Sequence, residues 1–285
     1  MTSTLLSFGH GFSARALVPM LGEGWRVIGT TRTPDKAAAI AATGVEPRIW
    51  PSTRPQDVLP FDDVTHLLIS AAPQADGDPV LNAFASEIAA RADQFEWVGY
   101  LSTTGVYGDH QGGWVDESTP LTPSTRRGQW RMAAEAAWSA IPGLPLHIFR
   151  LAGIYGPGRG PFAKVRNGTA RRIIKPGQVF SRIHVDDIAQ VLAASIAQPN
   201  PGAVYNLCDD DPAPPEDVIA HAASLLNLPI PPAIPFDQAE MTPMARSFYA
   251  ESKRVRNDRI KSELGVRLRY PDYRAGLAAL LKGEG

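Results

Sequence analysis

The sequence predicts an α/β fold built on a doubly wound parallel sheet with a smaller C-terminal lobe. Three observations support this prediction. Short apolar segments alternate with helical segments along the first half of the chain, which is typical of strands joined by helices on both faces of a sheet. A glycine-rich turn directly follows the first apolar segment. The chain has 285 residues, 44% of them hydrophobic, which is enough to bury a sizeable core.

Six apolar segments have the length and composition of buried strands. In chain order they are Leu5–Phe8, Arg26–Thr30, His66–Ser70, Glu96–Leu101, Leu146–Arg150 and Val204–Leu207. The predicted helices are one beginning near Ser13, then Thr33–Gly44, Arg126–Ala140, Asp186–Ala197 and one beginning near Pro215. We also interpret Lys253–Asn257 as the face of a helix, with the apolar residues Val255, Ile260 and Leu264 pointing inward.

Local signals mark the ends of two of these helices. Thr33 and Pro34 provide an N-cap and a proline at the first helical position, and Gly44 is placed to end the same helix. Pro19 lies inside the first helix, so we expect that helix to be kinked or shortened.

The composition changes beyond Tyr155, where glycine, proline and basic residues become more frequent. We therefore predict a nucleotide-binding domain of residues 1–155, whose core also includes about 182–207. Residues 156–181 and 208–285 are predicted to form the smaller lobe, which would bind the substrate. A basic stretch in this lobe, Arg166 to Lys175, either grips a phosphorylated or nucleotide-linked substrate or forms a solvated surface.

Charge and cysteine content restrict the partners and the compartment. The net charge is −1, so no overall field attracts nucleic acid or an anionic membrane. No apolar stretch approaches the ~20 residues that span a bilayer. A single cysteine excludes an intrachain disulfide and favours a reducing compartment, so a cytoplasmic location is expected. Histidine and cysteine spacing indicates no metal site.

The segment from Phe8 to Ala14 fits the G-x-G-x-x-G/A pattern of dinucleotide-binding turns. It follows a predicted strand and opens a helix, which is the context that this motif requires in a Rossmann-type fold. Gly9 would permit the tight turn, and Gly11 would permit close approach of a pyrophosphate. The residues expected to contact the cofactor here are Gly9, His10, Gly11, Phe12 and Ser13.

The end of the second strand favours NADP over NAD, although NAD stays possible. An NAD site usually carries an acid about 20 residues after the glycines to bind the ribose 2′-hydroxyl. Here Thr31 and Arg32 stand at the strand end, and a guanidinium suits a 2′-phosphate. Alternatively, Arg32 covers the adenine or points to solvent. Ser70, Ala71 and Ala72 supply small residues at the end of the third predicted strand, where the cofactor could lie.

Five segments together resemble the extended short-chain dehydrogenases/reductases, in the NAD-dependent epimerase/dehydratase family. They are Ser102–Gly108, Arg150–Gly158, Arg182–Ala189, Tyr205–Asp210 and Glu263–Gly265, in the order of the family. The resemblance implies an NAD(P) cofactor and a small-molecule substrate, such as a nucleotide sugar or a phosphorylated carbonyl compound. It also implies that helices such as Arg126–Ala140 can mediate dimerisation, so a monomer and a homodimer both stay open.

The resemblance fails at the catalytic Tyr-x-x-x-Lys pair. At the spacing of the family from Thr103, the Tyr position falls on Arg127 and the Lys position on Arg131, while Glu135 matches an acid that commonly follows. An arginine cannot exchange a proton at neutral pH. Arg127 would instead bind a carboxylate or phosphate, or stabilise an oxyanion. Ser102, Thr103 and Arg131 are the further residues that the resemblance places at the cofactor.

Other groups must then move the proton, or the chemistry of the family does not occur. Tyr107 and Tyr155 are the candidate acid/base groups, and Thr103 could orient a substrate oxygen. The predicted catalytic residues are Thr103, Tyr107, Arg127 and Arg131. The residues proposed to contact the substrate are Thr104, Tyr155, Arg182 and His184. Tyr107 and Tyr155 alternatively belong to the core. Two functions therefore stay open: an oxidoreductase or epimerase acting on a polar carbonyl substrate, and an inactive NADP(H)-binding sensor or regulatory module.

Overall fold

A seven-stranded parallel sheet forms the centre of the protein in a computed structural model, which describes residues 3–51 and 59–283. Its strands are β1 (Ser3–Phe8), β2 (Trp25–Thr31), β3 (Glu46–Ile49), β4 (His66–Ile69), β5 (Trp97–Thr103), β7 (Leu146–Leu151) and β11 (Val204–Leu207). Their order across the sheet is β11-β7-β5-β4-β1-β2-β3. The chain thus runs outward from β1 to β3 and returns to β4 beside β1. This reversal creates the switch point at which doubly wound sheets bind ligands.

Ten helices accompany these strands in the described residues. They are α1 (Phe12–Leu17), α2 (Pro34–Ala41), α3 (Pro79–Ala90), α4 (Arg126–Ser139), α5 (Phe162–Arg166), α6 (Val185–Ala197), α7 (Pro215–Leu225), α8 (Pro243–Phe248), α9 (Asp258–Ser262) and α10 (Tyr273–Gly283). Short 3-10 helices cover Val18–Met20, Ala92–Gln94 and Thr104–Tyr107. The predicted α/β class is confirmed, and α1 ends just before Pro19 as expected.

Six short strands form three parallel pairs outside the main sheet. β8 (Gly153–Tyr155) pairs with β10 (Arg182–His184), β9 (Arg172–Ile174) with β12 (Ala233–Pro235), and β6 (Trp114–Val115) with β13 (Arg254–Val255).

The prediction of a helix over Lys253–Asn257 is wrong. Arg254 and Val255 instead pair as a strand with Trp114 and Val115, and α9 begins only at Asp258. Val255 is nevertheless buried, and its backbone N–H donates to Ser181 Oγ at 3.1 Å. The inward direction of Val255 was therefore predicted correctly, whereas the apolar spacing did not distinguish a strand from a helix in so short a segment.

The chain divides into two compact units. The first comprises Met1–Ser102, Trp130–Arg150 and Ile188–Tyr205, and the second comprises Thr103–Gln129, Leu151–Asp187 and Asn206–Gly285. The second unit thus takes in residues 103–129, which the sequence prediction assigned to the nucleotide-binding domain. They leave the sheet after β5 and supply β6, which pairs with β13 from the C-terminal part of the chain.

Each unit has its own hydrophobic core. In the first unit, buried side chains from the sheet pack with α3 and α4, and the largest include Phe8, Tyr100 and Trp138. In the second unit, Tyr155, Phe162 and Tyr273 pack with the buried faces of α7 and α10.

Candidate functional site

Gly9 begins the turn after β1, and only glycine fits there. Its φ angle is +77°, a left-handed conformation that other residues rarely adopt. A Cβ atom at this position would also lie 3.0 Å from the backbone nitrogen of Ala71. The N–H of Gly9 donates to Thr30 Oγ1 at 2.8 Å, which fixes the turn to β2. The tight turn expected of the first motif glycine is therefore present.

Gly11 differs from Gly9 because no neighbouring atom requires a glycine there. The nearest atom to a Cβ at position 11 would be the oxygen of Gly9, at 3.6 Å, which is an ordinary contact. Gly11 is exposed and forms the N-cap of α1, which has no side-chain cap. Its own N–H donates to Gly9 O at 2.6 Å. The space above Gly11 is thus left open to an external group.

His10 contributes its backbone to the turn and its ring to the core. The side chain is 6% exposed, and neither ring nitrogen has a hydrogen-bond partner among the described residues. Burial, with a smaller effect from the nearby Arg15, lowers the pKa of His10 to about 4, so the ring is neutral at physiological pH. The backbone N–H of His10 donates to Thr30 O at 2.9 Å.

Arg32 is the charged group available just beyond β2. It is exposed and, within the part of the chain that the structure describes, forms no ion pair or hydrogen bond. Thr31 is half-buried, and its carbonyl accepts from the Trp50 N–H at 2.8 Å. The Thr30 hydroxyl, by contrast, is already used by Gly9. Thr31 and Arg32 are therefore the side chains at this strand end with groups left to bind a ligand.

The end of β4 is attached directly to the glycine turn. The Ser70 hydroxyl donates to Gly9 O at 2.5 Å, and the Ala71 N–H donates to Phe8 O at 3.1 Å. Ala72 is exposed beyond them. Two of the predicted cofactor segments, the glycine turn and Ser70–Ala72, are thus brought together at the switch point between β1 and β4. In α1, Phe12 is half-buried and Ser13 is buried.

Ser102 takes part in a buried network that sequence reasoning did not identify. Its hydroxyl donates to Glu135 Oε1, and Glu135 Oε2 pairs with Arg150 Nη2 at 2.8 Å. All three side chains are at most 6% exposed. The network connects β5, α4 and β7 within the first unit. In the sequence, Glu135 could be identified because it matches an acid that commonly follows the family's lysine. Arg150 appeared only as the first residue of the segment Arg150–Gly158.

Arg131 is also bound to β5 from α4. Its Nη1 donates to Leu101 O at 2.7 Å and to the Tyr100 hydroxyl at 3.1 Å. Burial raises the pKa of Tyr100 to about 12, although the charge of Arg131 acts in the opposite direction. The guanidinium at the family's lysine position therefore fastens the helix to the strand in this structure.

Thr103 and Arg127 lie in two turns that pack closely within the second unit. The Gly105 N–H donates to Thr103 Oγ1 at 3.1 Å, which caps the 3-10 helix Thr104–Tyr107. A Cβ at Gly128 would lie 2.9 Å from the carbonyl oxygen of Gly105. Gly128 thus allows the first turn of α4 to approach the Thr103 turn. Arg127, its neighbour, is exposed and has no ion pair among the described residues.

Tyr107 is part of the core of the second unit. It is fully buried, and its hydroxyl donates to Asn206 Oδ1 at 2.7 Å. The backbone N–H of Asn206 in turn donates to Glu117 Oε1 at 2.8 Å. These contacts agree with the alternative that Tyr107 belongs to the core, because its hydroxyl already has a hydrogen-bond partner inside the unit.

Tyr155 and His184 form a second buried aromatic pair. Their ring centroids are 5.1 Å apart, and Tyr155 is 7% and His184 1% exposed. Burial raises the pKa of Tyr155, and the charges of Asp209 and Asp187 raise it further. His184 Nδ1 accepts from the backbone N–H of Asp186 at 3.2 Å. Burial lowers the pKa of His184, so it acts on the two rings in opposite directions and favours the uncharged form of each.

Arg182 is fixed by two carbonyl groups. Its Nη1 donates to Phe180 O at 2.8 Å and to Ala213 O at 3.0 Å. Asp209 lies near it and is 1% exposed. Neither carboxyl oxygen of Asp209 has a hydrogen-bond partner among the described residues. Burial raises the pKa of Asp209 to about 8, and the charge of Arg182 only partly opposes this.

The basic stretch of the second unit is bonded to backbone carbonyl groups. Arg171 donates to Glu240 O, Arg172 to Pro231 O at 3.2 Å, and Lys175 to Tyr249 O. None of these three side chains forms an ion pair with a carboxylate of the described residues. The stretch therefore fastens the segment that follows α7, while Glu216 acts on Arg172 and Asp109 on Lys175 through their charges.

The described residues contain neither a metal-binding cluster nor a helix that could span a membrane. No group of three or more His, Cys, Asp or Glu side chains is placed to hold a metal ion. Every helix in residues 3–51 and 59–283 is too short or too polar to cross a bilayer.

Two curated proteins illustrate the sequence similarity of the chain. No family model matches the chain. Protein YeeZ of Escherichia coli K12 is 28% identical over 262 residues, covering 88% of this chain and 89% of that protein. The 3-diazoavenalumate denitrifying reductase of a Streptomyces species is 28% identical over 177 residues, covering 58% of this chain and 55% of that protein.

Solved structures resemble the whole chain. Two of the neighbours that hold cofactors serve as examples. Human epimerase family protein SDR39U1 with NADPH is 18% identical, with a TM-score of 0.74 and coverage of 98% of this chain and 99% of that one. UDP-glucuronic acid 4-epimerase of Bacillus cereus with UDP-glucuronic acid and NAD is 16% identical, with a TM-score of 0.74 and coverage of 99% of this chain and 100% of that one. These likenesses show the fold.

Two other structures are more similar in sequence. An NAD-dependent epimerase/dehydratase of Methylobacillus flagellatus, described as putative, is 25% identical, with a TM-score of 0.68 and coverage of 100% and 99%. A functionally unknown conserved protein of Silicibacter pomeroyi is 66% identical, with a TM-score of 0.93 and coverage of 99% of each chain. The chain therefore belongs to the family of the Silicibacter pomeroyi protein, and its fold is that of the NAD-dependent epimerase/dehydratase and short-chain dehydrogenase/reductase proteins, in an extended and atypical form.

Proposed function

We propose that this protein is an NADP(H)-dependent oxidoreductase or epimerase acting on a polar carbonyl substrate that carries an anionic group, such as a nucleotide sugar. The observation that carries the proposal is the arrangement at the switch point of the sheet. The glycine turn is held against Thr30 and Ser70, and the space at Gly11 is open. This is where a doubly wound sheet binds a dinucleotide.

The residues at this turn fit a nicotinamide dinucleotide. The conformation of Gly9 and the closeness of Ala71 require a glycine at position 9, whereas the open space at Gly11 leaves room for an external group. The amides of Gly9, His10 and Gly11 are all bonded within the protein, so the first turn of α1 is the source of N–H groups for the diphosphate. When bound, the nicotinamide would supply the two-electron redox chemistry of the reaction.

NADP is proposed over NAD because of Arg32. A 2′-phosphate presents oxygens that match the planar guanidinium, and no carboxylate of the described residues neutralises this arginine. Thr31 stands beside it with its side chain half-buried. The proposed cofactor contacts are therefore the glycine turn, Ser70–Ala72, and the pair Thr31 and Arg32.

An anionic substrate is proposed because of the second unit. Arg171, Arg172 and Lys175 donate to carbonyl groups and form no ion pair with a carboxylate of the described residues. Positive charges fixed in this way can bind a phosphate without losing much side-chain freedom. Arg182 adds a guanidinium of which only Nη1 is used.

Calorimetry followed by a turnover screen tests the proposal. We expect NADPH and NADP+ to bind more tightly than NADH and NAD+, and NADPH to be oxidised in the presence of a carbonyl compound carrying an anionic group. Absence of binding by all four dinucleotides to folded protein would refute it. Tight NADPH binding with no oxidation by a panel of UDP-sugars, phosphorylated carbonyl compounds and 2-oxo acids would instead favour an NADP(H)-binding sensor.

A further inference from the structure

Trp50 is anchored beside the strand end that carries Thr31 and Arg32. Its backbone N–H donates to Thr31 O at 2.8 Å. Thr31 of β2 is paired with Ile49 of β3, so Trp50 directly follows the last paired residue of β3. Trp50 therefore stands at the carboxyl end of two neighbouring parallel strands, next to the guanidinium proposed to bind the 2′-phosphate.

The indole ring of Trp50 also packs against the strand that leads into the glycine turn. Its centroid lies 5.3 Å from that of Phe8, the residue before Gly9, and 5.8 Å from that of Phe84 in α3. Phe8 in turn accepts from the Ala71 N–H through its carbonyl oxygen, at 3.1 Å. All of these residues belong to the first unit. Contacts inside one unit thus connect Trp50 to the glycine turn and to the end of β4.

Part of the indole surface is left open. Phe8 is fully buried, whereas Trp50, Phe84 and Ala71 are each only half-buried where they pack on the core of the first unit. Apolar surface is therefore exposed beside the segments proposed to hold the cofactor. A surface of this kind suits the face of a flat heteroaromatic group.

We propose that Trp50 binds the adenine of the dinucleotide by stacking its indole ring on the base. The inference rests on the proposed function and adds a cofactor-binding residue to it. The 2′-phosphate and the adenine of NADP are attached to neighbouring carbons of one ribose. A phosphate at Arg32 therefore brings the base next to Thr31, the residue to which the backbone of Trp50 is bonded.

Trp50 and Arg32 then have separate roles in cofactor binding. Stacking between a base and an aromatic ring does not depend on the phosphate, so Trp50 contributes affinity for NADP and NAD alike. Arg32 contributes the choice between them, because only NADP carries the 2′-phosphate. A variant of Trp50 should therefore weaken both dinucleotides by the same factor, unlike a variant of Arg32.

Fluorine nuclear magnetic resonance of protein labelled with 5-fluorotryptophan tests the inference without turnover. The signals of Trp50 and Trp25 are assigned with Trp50→Phe and Trp25→Phe. The protein is titrated with NADP+, with adenosine 2′-monophosphate, and with nicotinamide mononucleotide, which lacks the adenine. We expect the Trp50 signal to shift with the first two ligands and not with the third. Trp25 is the internal control, because it is also half-buried but begins β2 at the opposite end of the strand.

Calorimetry of three variants measures the contribution of the indole ring. In Trp50→Leu we expect the Kd values for NADP+ and NAD+ to rise together, by about 5- to 100-fold, which is the range for loss of one base–aromatic stack. Trp50→Phe keeps an aromatic face and should retain most of the affinity. Trp25→Phe should bind as the wild type does. Circular dichroism and urea denaturation establish that each variant is folded.

Two outcomes would overturn the inference and leave the proposed function intact. One is a Trp50 signal that does not respond to NADP+ in protein that calorimetry shows to bind it, or that responds equally to nicotinamide mononucleotide. The other is a folded Trp50→Leu variant with unchanged affinity for both dinucleotides. If the folded wild-type protein binds no nicotinamide dinucleotide, the proposed function itself fails, and the inference fails with it.

Discussion

The imidazole ring of His10 fills the space that a side chain at position 29 would occupy. A Cβ at Gly29 would lie 2.7 Å from His10 Cγ and 3.1 Å from Val45 Cγ1. Gly29 lies in β2 and His10 in the turn after β1, so the turn packs directly onto the neighbouring strand. The position of the turn therefore depends on the absence of a side chain at residue 29.

Gly29→Ala is expected to lower the free energy of unfolding by about 1–3 kcal/mol, because the imidazole or the turn must move. NADP+ binding should weaken as well, since the displaced turn is the proposed site. Urea denaturation and calorimetry measure the two effects. In a double-mutant cycle with His10→Ala, the double variant should lose less stability than the sum of the single variants. Additive losses would contradict a direct contact.

Glu135→Gln should strongly destabilise the first unit. The substitution removes the carboxylate that pairs with Arg150 at 2.8 Å in a site where both side chains are at most 7% exposed. Breaking a buried pair from one side costs about 3–5 kcal/mol. Glu87→Gln is the control, because Glu87 pairs with Arg91 at the surface, where a pair contributes about 1 kcal/mol or less. Equal losses in urea denaturation would show that burial of the Glu135 pair has no energetic consequence.

The buried carboxyl group of Asp209 should make the free energy of unfolding decrease as the pH rises from about 4 to 8. In the unfolded chain this carboxyl ionises near its ordinary pKa of 3.8, whereas burial raises its pKa in the folded protein to about 8. A raised carboxyl pKa stabilises the folded state fully below the unfolded pKa, and the contribution is lost as pH rises through the folded pKa. Asp209→Asn removes this dependence.

The Asp209→Asn variant is therefore expected to be more stable than the wild type at pH 8, by at least about 1 kcal/mol. The difference should shrink toward pH 4, and chemical denaturation at both pH values measures it. Asp211→Asn provides the control, because Asp211 pairs with Arg274 at 2.6 Å and should gain no stability. A loss of stability in Asp209→Asn at pH 8 would mean that the folded protein prefers the ionised carboxyl.

Arg32→Ser should change the choice of cofactor. We expect the Kd for NADP+ to rise by about 10- to 100-fold, corresponding to the loss of a charged hydrogen bond, while the Kd for NAD+ changes little. Arg32→Lys keeps the charge and should retain part of the preference for NADP+. Calorimetry at low ionic strength measures all three proteins. Equal weakening of NADP+ and NAD+ would argue against a contact to the 2′-phosphate.

Much of the sheet could be predicted from the sequence because its strands are buried on both faces. Such strands form continuous apolar segments, as Leu146–Arg150 and Val204–Leu207 show. β3 was missed, because Glu46–Ile49 contains a charged residue at each of two positions and a proline. Its side chains are half-buried at the edge of the sheet, where the apolar signal is weakest.

The sequence by itself determined the glycine turn, its place after the first strand, and the replacement of the family's Tyr and Lys by Arg127 and Arg131. These are local features, because spacing and backbone conformation depend on neighbouring residues. Only the tertiary structure decided what the side chains contact. It directs Arg131 to the carbonyl of Leu101 and joins Ser102 to Glu135, since contacts between distant segments depend on how helices pack against the sheet.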